Sequence, residues 1–529
     1  MERLAGRIML LWGWRRLLLA IAAGAIGALA TAPLNLFAAL FLSFPILVWL
    51  LDGTAGGPDG GFAGRFGSAF VIGWGFGFGY FVAGLWWLGN ALLVEADEFA
   101  WALPLAILGL PAVLAIYYGL AAAIARLFWS DGAARLAALA FGFGLAEWLR
   151  ATLLTGFPWN AIGYTIMPVP VMMQSAALVG VGGMTVVAVL VFSAPALLGT
   201  RRGLKTGMGL AIILMGAQFG FGYWALETPV AESGKTLNVR IVQPSIDQAA
   251  KLAGDDREAI FSEHLRLTAL PPEEGKPRPD VIVWPETSIP FILTQNTDAL
   301  TAIADTLEDG QILLTGAVRM EEAGPGYAPR YYNSVYMIDS GGNILAATDK
   351  VHLTPFGEYV PMEDILRRFG VQNLVALPGG FTAGPRRTVL TLPQGAGLLP
   401  LICYEAIFPD EIAGVESGVN ALLNVTNDGW FGNTPGPWQH LQQARIRAVE
   451  NGLPLIRDAN SGVSAIVDEK GRIISGLMLG VKGKVDASIV LPNAASSFVK
   501  WRERNFWLLL SLSLVYALVG RRAFVSRKN

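Results

Sequence analysis

The sequence predicts a bundle of membrane-spanning helices joined to a separate α/β domain on the outer side of the membrane. Three observations predict it. Only 15% of the 529 residues are charged, against about 25% in ordinary soluble proteins, and the mean hydropathy is +0.47. The apolar residues gather in long runs before about residue 227 and once more near the C-terminus. Between them, residues 231–500 carry mixed charge, short alternating patterns and frequent turn signals.

The spans come first. Seven apolar runs, at about 17–33, 35–51, 66–93, 101–128, 133–151, 170–199 and 205–226, are each near or above the roughly 17 residues that cross a bilayer. An eighth lies at about 505–520. The expected domains are therefore a bundle at 1–230, an outer domain at 231–500, and an eighth transmembrane helix with its tail at 501–529. Arg15 and Arg16 before an apolar run ending Ala28-Leu29-Ala30 imitate a signal peptide. Pro33 and an immediate second span argue that this run stays uncleaved.

Basic loops set the orientation. Arg3, Arg7, Arg15, Arg16, Arg65, Arg126, Arg135, Arg201, Arg202 and Lys205 fall on one side, and Glu95, Asp97 and Glu98 on the other. Basic loops stay in the cytoplasm, so the N-terminus is cytoplasmic and the large domain is outside. The eighth span returns Arg521, Arg522, Arg527 and Lys528 to the cytoplasm. Gly73, Gly75, Gly77 and Gly79 form two overlapping small-residue pairs, which let helices pack closely in lipid; a nucleotide loop is disfavoured inside a span. Glu147 and Arg150 read first as a helix-end ion pair, with a charge lining a head-group site as the alternative. Trp86, Trp87, Trp159 and Trp507 read either as interfacial anchors or, the weightier reading, as simple belt or helix packing. Phe157–Pro170 and Leu366–Phe381 are expected to dip into the interface or to flank an entrance that opens toward it.

Several functions are excluded early. A net charge of −2 without a long basic run argues against nucleic acid as a partner. One cysteine excludes internal disulfides and multi-cysteine metal sites. His264, His352 and His440 are too scattered to suggest a zinc site, and no cofactor is expected.

In the outer domain, strand-like runs lie at Leu237–Val242, Val281–Trp284, Ile312–Thr315, Ser334–Ile338, Leu398–Cys403 and Ala421–Val425. A helix runs from about Trp438 to Glu450, between Pro437 and Gly452. Val463–Val467 and Arg472–Ile474 flank a hairpin turn at Asp468–Gly471.

Chemistry gathers at strand ends. Cys403 closes an apolar run and is followed by polar Tyr404 and Glu405. Glu286 follows Pro285, where the strand is expected to stop. Lys350 and Glu358 sit in a segment dense in proline, glycine and aromatics. Taken singly, these read as a buried cysteine, a loop carboxylate and a surface lysine. Together they make a workable set: the carboxylate takes the thiol proton, and the ammonium stabilises the thiolate and a tetrahedral oxyanion.

These residues resemble a known family. Trp284-Pro-Glu286, Lys350 with Phe356-Gly-Glu-Tyr359, and Ile402-Cys-Tyr-Glu405 are similar to the Glu-Lys-Cys motifs of the nitrilase, or carbon–nitrogen hydrolase, superfamily. Asn427-Asp-Gly-Trp-Phe-Gly432, Gln439-His440, Arg445–Asn451 and Arg457–Gly462 extend the match. With the spans framing it, the whole chain resembles the membrane-embedded acyltransferases of that superfamily. The resemblance implies an αββα sandwich on the periplasmic side of a bacterial inner membrane, with both termini cytoplasmic. It implies Glu286 as general base, Lys350 as oxyanion stabiliser and Cys403 as nucleophile. Glu358, Glu405, Tyr404, Asn333 and Trp430 match positions around the site. The implied reaction is ping-pong, in a monomer. A phospholipid gives an acyl chain to Cys403, and the α-amino group of a diacylglyceryl-cysteine lipoprotein takes it.

One feature departs from the pattern. Family members often carry a tryptophan shortly after the first strand's glutamine, and Asp247–Leu252 has none; no lid role is carried over to it. A membrane-tethered amidase and a transporter remain as alternatives. Seven spans exceed what a tether needs, and the spans hold few ionisable groups of the kind transporters place at the midplane.

Overall fold

The computed structural model describes all residues except 55–61, 230–231, 255, 363–367, 369–379, 413–417, 494–495, 497–498 and 527–529. Most of Leu366–Phe381, and Arg527 and Lys528, lie outside the described residues. The chain divides into two compact units. One comprises Met1–Gly89, Glu98–Thr228 and Ser497–Asn529, and the other Asn90–Asp97 and Pro229–Ser496.

The first unit is helical. Among the described residues, five helices are long and apolar enough to cross a membrane: Phe66–Leu93, Ala96–Leu127, Ala176–Gly199, Leu204–Glu227 and Val499–Ala523. The other apolar runs form the helices Gly13–Ala28, Leu40–Asp52 and Ala134–Thr152. The glycine ladder on Phe62–Leu85 separates two close contacts. A Cβ at Gly79 would lie 1.9 Å from Ile21 O, and one at Gly75 2.6 Å from Leu17 Cδ1. Gly73 and Gly77 turn to the opposite neighbour, with Tyr118 O 2.3 Å and Tyr118 Cβ 2.8 Å from the same virtual atom. Small residues thus seat this helix between Gly13–Ala28 and Leu110–Leu127 at backbone distance.

Glu147 and Arg150 form a buried ion pair, as the first reading expected. Tyr118 Oη donates to Glu147 Oε1 at 2.5 Å, and Arg150 Nη1 donates to Trp159 O at 2.9 Å. The pair therefore ties the loop after its helix back to the bundle. Two of the tryptophans take the packing reading. Trp87 and Trp159 are buried with ring centroids 5.0 Å apart, because each fills interior space beside the other. Trp86 is exposed.

The second unit is an αββα sandwich. Its strands are β1 (Glu232–Gln243), β2 (Val281–Ile289), β3 (Ile312–Glu321), β4 (Arg330–Asp339), β5 (Ile344–Asp349), β6 (Leu390–Thr391), β7 (Gly397–Ile402), β8 (Val419–Thr426), β9 (Leu455–Ala459), β10 (Ser464–Val467), β11 (Ile473–Leu477) and β12 (Gly483–Pro492). They form two six-stranded sheets, ordered β12-β1-β2-β3-β4-β5 and β11-β10-β9-β8-β7-β6. Each has three parallel strands at its centre, β1-β2-β3 and β7-β8-β9, with antiparallel strands outside.

Three apolar layers follow. Ile241, Val283, Leu314, Leu398, Leu423 and Ile456 belong to the core between the sheets. Helices Arg257–Thr268 and Thr297–Thr306 cover the first sheet through Phe261 and Ile303. Helix Gly436–Asn451 covers the second through Leu441 and Ala448. Pro437 lies in its first turn, and Gly452 ends it at φ +62°, the left-handed cap that glycine adopts without Cβ strain.

Candidate active site

Ligand sites in open α/β sheets form beyond the carboxyl ends of parallel strands. The ends of β2, β7 and β8 meet here and carry Glu286, Cys403 and Asn427. The expectation that β2 stops at Pro285 is corrected: the strand runs on to Ile289. Its pairing with β3 nevertheless breaks between Trp284 and Ile289, because proline offers no N–H to the ladder. Gly316 of β3 lets the displaced segment come close, since a Cβ there would lie 2.6 Å from Glu286 Cα.

Glu286 is buried and held at both oxygens. Asn333 Nδ2 on β4 donates to Oε1 at 2.7 Å, and the Asn427 backbone N–H donates to Oε2 at 2.9 Å. Burial lifts its carboxyl above the usual range, against the pull of Lys350. Lys350 follows β5 directly and is also buried. Its Nζ lies 2.7 Å from Glu358 Oε2 and 3.8 Å from Glu286 Oε1, and donates to Thr354 Oγ1 at 3.3 Å. Burial alone would lower this ammonium's pKa. Glu358 and Glu286 outweigh that effect and raise it. Asn333 Nδ2 also donates to Glu358 Oε1 at 2.8 Å, so one amide joins the two carboxylates that flank the lysine.

Cys403 opens the short turn Cys403–Ile407 right after β7. It sits at φ +50°, a left-handed conformation that costs a non-glycine residue roughly 1–2 kcal/mol. Strain of this kind persists where the surroundings over-determine it. The thiol is close enough to Glu286 and Lys350 for both charges to act on it. Burial, then Glu286, push its pKa well up, while Lys350 works the other way.

Glu405 does a different job from the residues it neighbours. Fully buried, it accepts from Ile402 N at 2.7 Å, Val351 N at 2.8 Å and His352 N at 3.0 Å. Arg387 adds two bonds, at 2.7 and 2.8 Å. One carboxylate therefore clamps the end of β7 to the segment carrying Lys350. Tyr404 packs its ring on Phe408 and His352, at centroid distances of 5.0 and 5.8 Å. Trp430 is half-buried in the turn Asp428–Phe431.

Sequence reasoning gave no role to a buried network behind Cys403. Asp428 Oδ1 meets His440 Nδ1 at 2.9 Å, and its Oδ2 accepts from Arg457 Nη2 at 2.6 Å. Lys251 was also missed. Its Nζ donates to Glu286 O at 3.3 Å and Thr287 Oγ1 at 2.9 Å, and burial lowers its pKa to about 8. A signal was present at Arg457 and Asp458. Two charges inside the apolar run Leu455–Ala459 mark buried, paired groups rather than a solvated face.

The arrangement supplies a thiol, a carboxylate to take its proton and an ammonium for developing negative charge. Residues 238–496 match the carbon–nitrogen hydrolase family, and residues 23–194 match the apolipoprotein N-acyltransferase N-terminal domain. The chain is similar to an apolipoprotein N-acyltransferase of Agrobacterium fabrum, 61% identical over 529 residues and covering 100% of both chains. A Rhizobium leguminosarum relative of the same description is 62% identical over 534 residues, again covering 100% of both. An amidase from Nesterenkonia sp. matches 53% of this chain and 98% of its own at 19% identity, with a TM-score of 0.36.

Proposed function

The chain belongs to the apolipoprotein N-acyltransferase family, and on that premise we propose a two-step acyl transfer through Cys403. Glu286 takes the thiol proton as sulfur attacks the ester carbonyl of a phospholipid. Lys350 stabilises the tetrahedral oxyanion. The C–O bond breaks, the lysophospholipid leaves with the proton held by Glu286, and a thioester remains. The α-amino group of a diacylglyceryl-cysteine lipoprotein then attacks the thioester. Glu286 accepts the amine proton and returns it to the sulfur as the C–S bond breaks. Glu358, Asn333 and Glu405 hold the two charged groups in place, and Tyr404 and Trp430 line the surroundings.

The observation that carries this reading is the meeting of three groups from separate strand ends. Glu286 and Lys350, 3.8 Å apart, are the two charged groups that act most on the Cys403 thiol. The proposed setting is the periplasmic face of a bacterial inner membrane, with eight spans at 1–230 and 501–529, both termini cytoplasmic, and the catalytic domain at 231–500. The basic loops and apolar runs support it. A thioester hydrolyses if water reaches it, and a site fed from lipid excludes water.

The test is direct. Purified protein incubated with acyl-labelled phospholipid takes up base-labile label, and Cys403→Ala takes up none. Equal label on Cys403→Ala refutes the reading. Ammonia released from small amides without lipid points to an amidase instead.

A further inference from the structure

We propose that His440 is a positioning residue for the nucleophile, acting through the Cys403 backbone. This rests on Cys403 being the nucleophile. His440 is fully buried on helix Gly436–Asn451. Its Nε2 lies 3.1 Å from Cys403 O. A carbonyl oxygen only accepts, so the ring donates Nε2–H to it. The far side of the ring is anchored. Nδ1 lies 2.9 Å from Asp428 Oδ1, and Phe431 packs at a centroid distance of 6.1 Å. Arg457 closes the frame by donating to Asp428 Oδ2 at 2.6 Å and to Asn424 Oδ1. Asn424 Nδ2 returns to Leu401 O at 2.6 Å, two residues before the cysteine.

The frame thus grips the chain at Leu401 and Cys403. Those are the residues on either side of the change from extended β7 to the left-handed turn. Cys403 at φ +50° is not a conformation this backbone holds unaided. Without His440 that carbonyl keeps only a long 3.5 Å contact from Asn424 Nδ2, too weak to hold the peptide; the peptide turns, and the Cα–Cβ vector that aims sulfur at Glu286 turns with it.

Cys403 is the chain's single cysteine, so thiol chemistry on the full-length protein reads this one group. Wild type, His440→Ala and His440→Gln are compared in detergent. The acyl donor is mixed phosphatidylethanolamine and phosphatidylglycerol micelles bearing a labelled chain. Thioester formation in His440→Ala falls about 100-fold in kcat, the scale of a small misplacement of a reacting group, with KM unchanged. His440→Gln, whose amide can donate to the same carbonyl, recovers most of the loss. Iodoacetamide alkylation of Cys403 slows in His440→Ala and recovers in His440→Gln. The proposal is overturned by an unchanged kcat in His440→Ala, by a matching rise in KM, or by no recovery with glutamine. Alkylation separates the two readings. If wild type takes no acyl chain from lipid, the acyltransfer reading fails, and the alkylation series still decides whether His440 positions the thiol.

Discussion

Asn333→Leu isolates one donor at the centre of the site. Asparagine and leucine have similar shapes, and the buried Asn333 Oδ1 has no partner among the described residues. The substitution therefore removes only Nδ2, which donates at 2.7 Å to Glu286 and 2.8 Å to Glu358. A hydrogen bond to a charged group contributes about 1.5–3 kcal/mol, and one pKa unit is about 1.4 kcal/mol. Losing the donor therefore raises the Glu286 pKa by about 1–2 units beyond its already raised position. A carboxyl with a raised pKa is ionised, and so able to take the thiol proton, only at higher pH. The acidic limb of acyl-label uptake on Cys403 moves up by that amount. The high-pH plateau survives, because Asn427 N–H at 2.9 Å and Lys350 still hold the carboxylate. The assay is the rate of thioester formation across pH for both proteins. A limb that stays in place, or a rate reduced equally at every pH, refutes the reasoning.

Lys350→Met removes the proposed oxyanion donor and lowers the single-turnover rate of thioester formation by about 10²–10³; a rate within threefold of wild type contradicts the role. Glu405→Gln breaks the buried pair with Arg387 and costs about 3 kcal/mol, the lower end for such a loss because Glu411 still pairs with Arg387 at 2.6 Å. The melting midpoint of the catalytic unit then falls by about 6–12 °C, read by circular dichroism. Gly79→Val drives a side chain into Ile21 O, 1.9 Å from the virtual Cβ. It lowers the detergent-solubilised melting midpoint, whereas Gly67→Val, with nothing within 4 Å, leaves it unchanged.

Periodicity and strand-end position made much of this legible. Helix Gly436–Asn451 declared itself by a proline before and a glycine after, and its bounds fall within two residues of the expected ones. Cys403 was legible because an apolar strand ended in polar residues. Strand β12 was not, because its alternation carries Lys484 and Asp486, which pair in place and read from sequence as loop. The clamp formed by Glu405 was hidden for another reason. Its partners lie near 351 and 387, and nothing local marks a carboxylate that bonds so far along the chain. The frame around His440 was hidden likewise: Asp428 and Arg457 join β7, β8, β9 and the helix Gly436–Asn451 only once the second sheet exists.

The same burial that conceals these residues in the sequence also sets their chemistry. It raises the thiol and the carboxyl together. The quantity that governs proton transfer is the difference between them, so a shared rise disturbs it less than either shift suggests. Lys350 opposes both rises, lying 3.8 Å from Glu286 and acting on the Cys403 thiol as well. At rest the sulfur is then a neutral thiol near its proposed acceptor, and its proton moves as the sulfur–carbon bond forms. Such a thiol is a poor target for solvent oxidants, which attack thiolate. In the proposed two-step reaction the site waits for two successive lipid substrates, and it gains from a nucleophile that becomes reactive only when an ester carbonyl is in place.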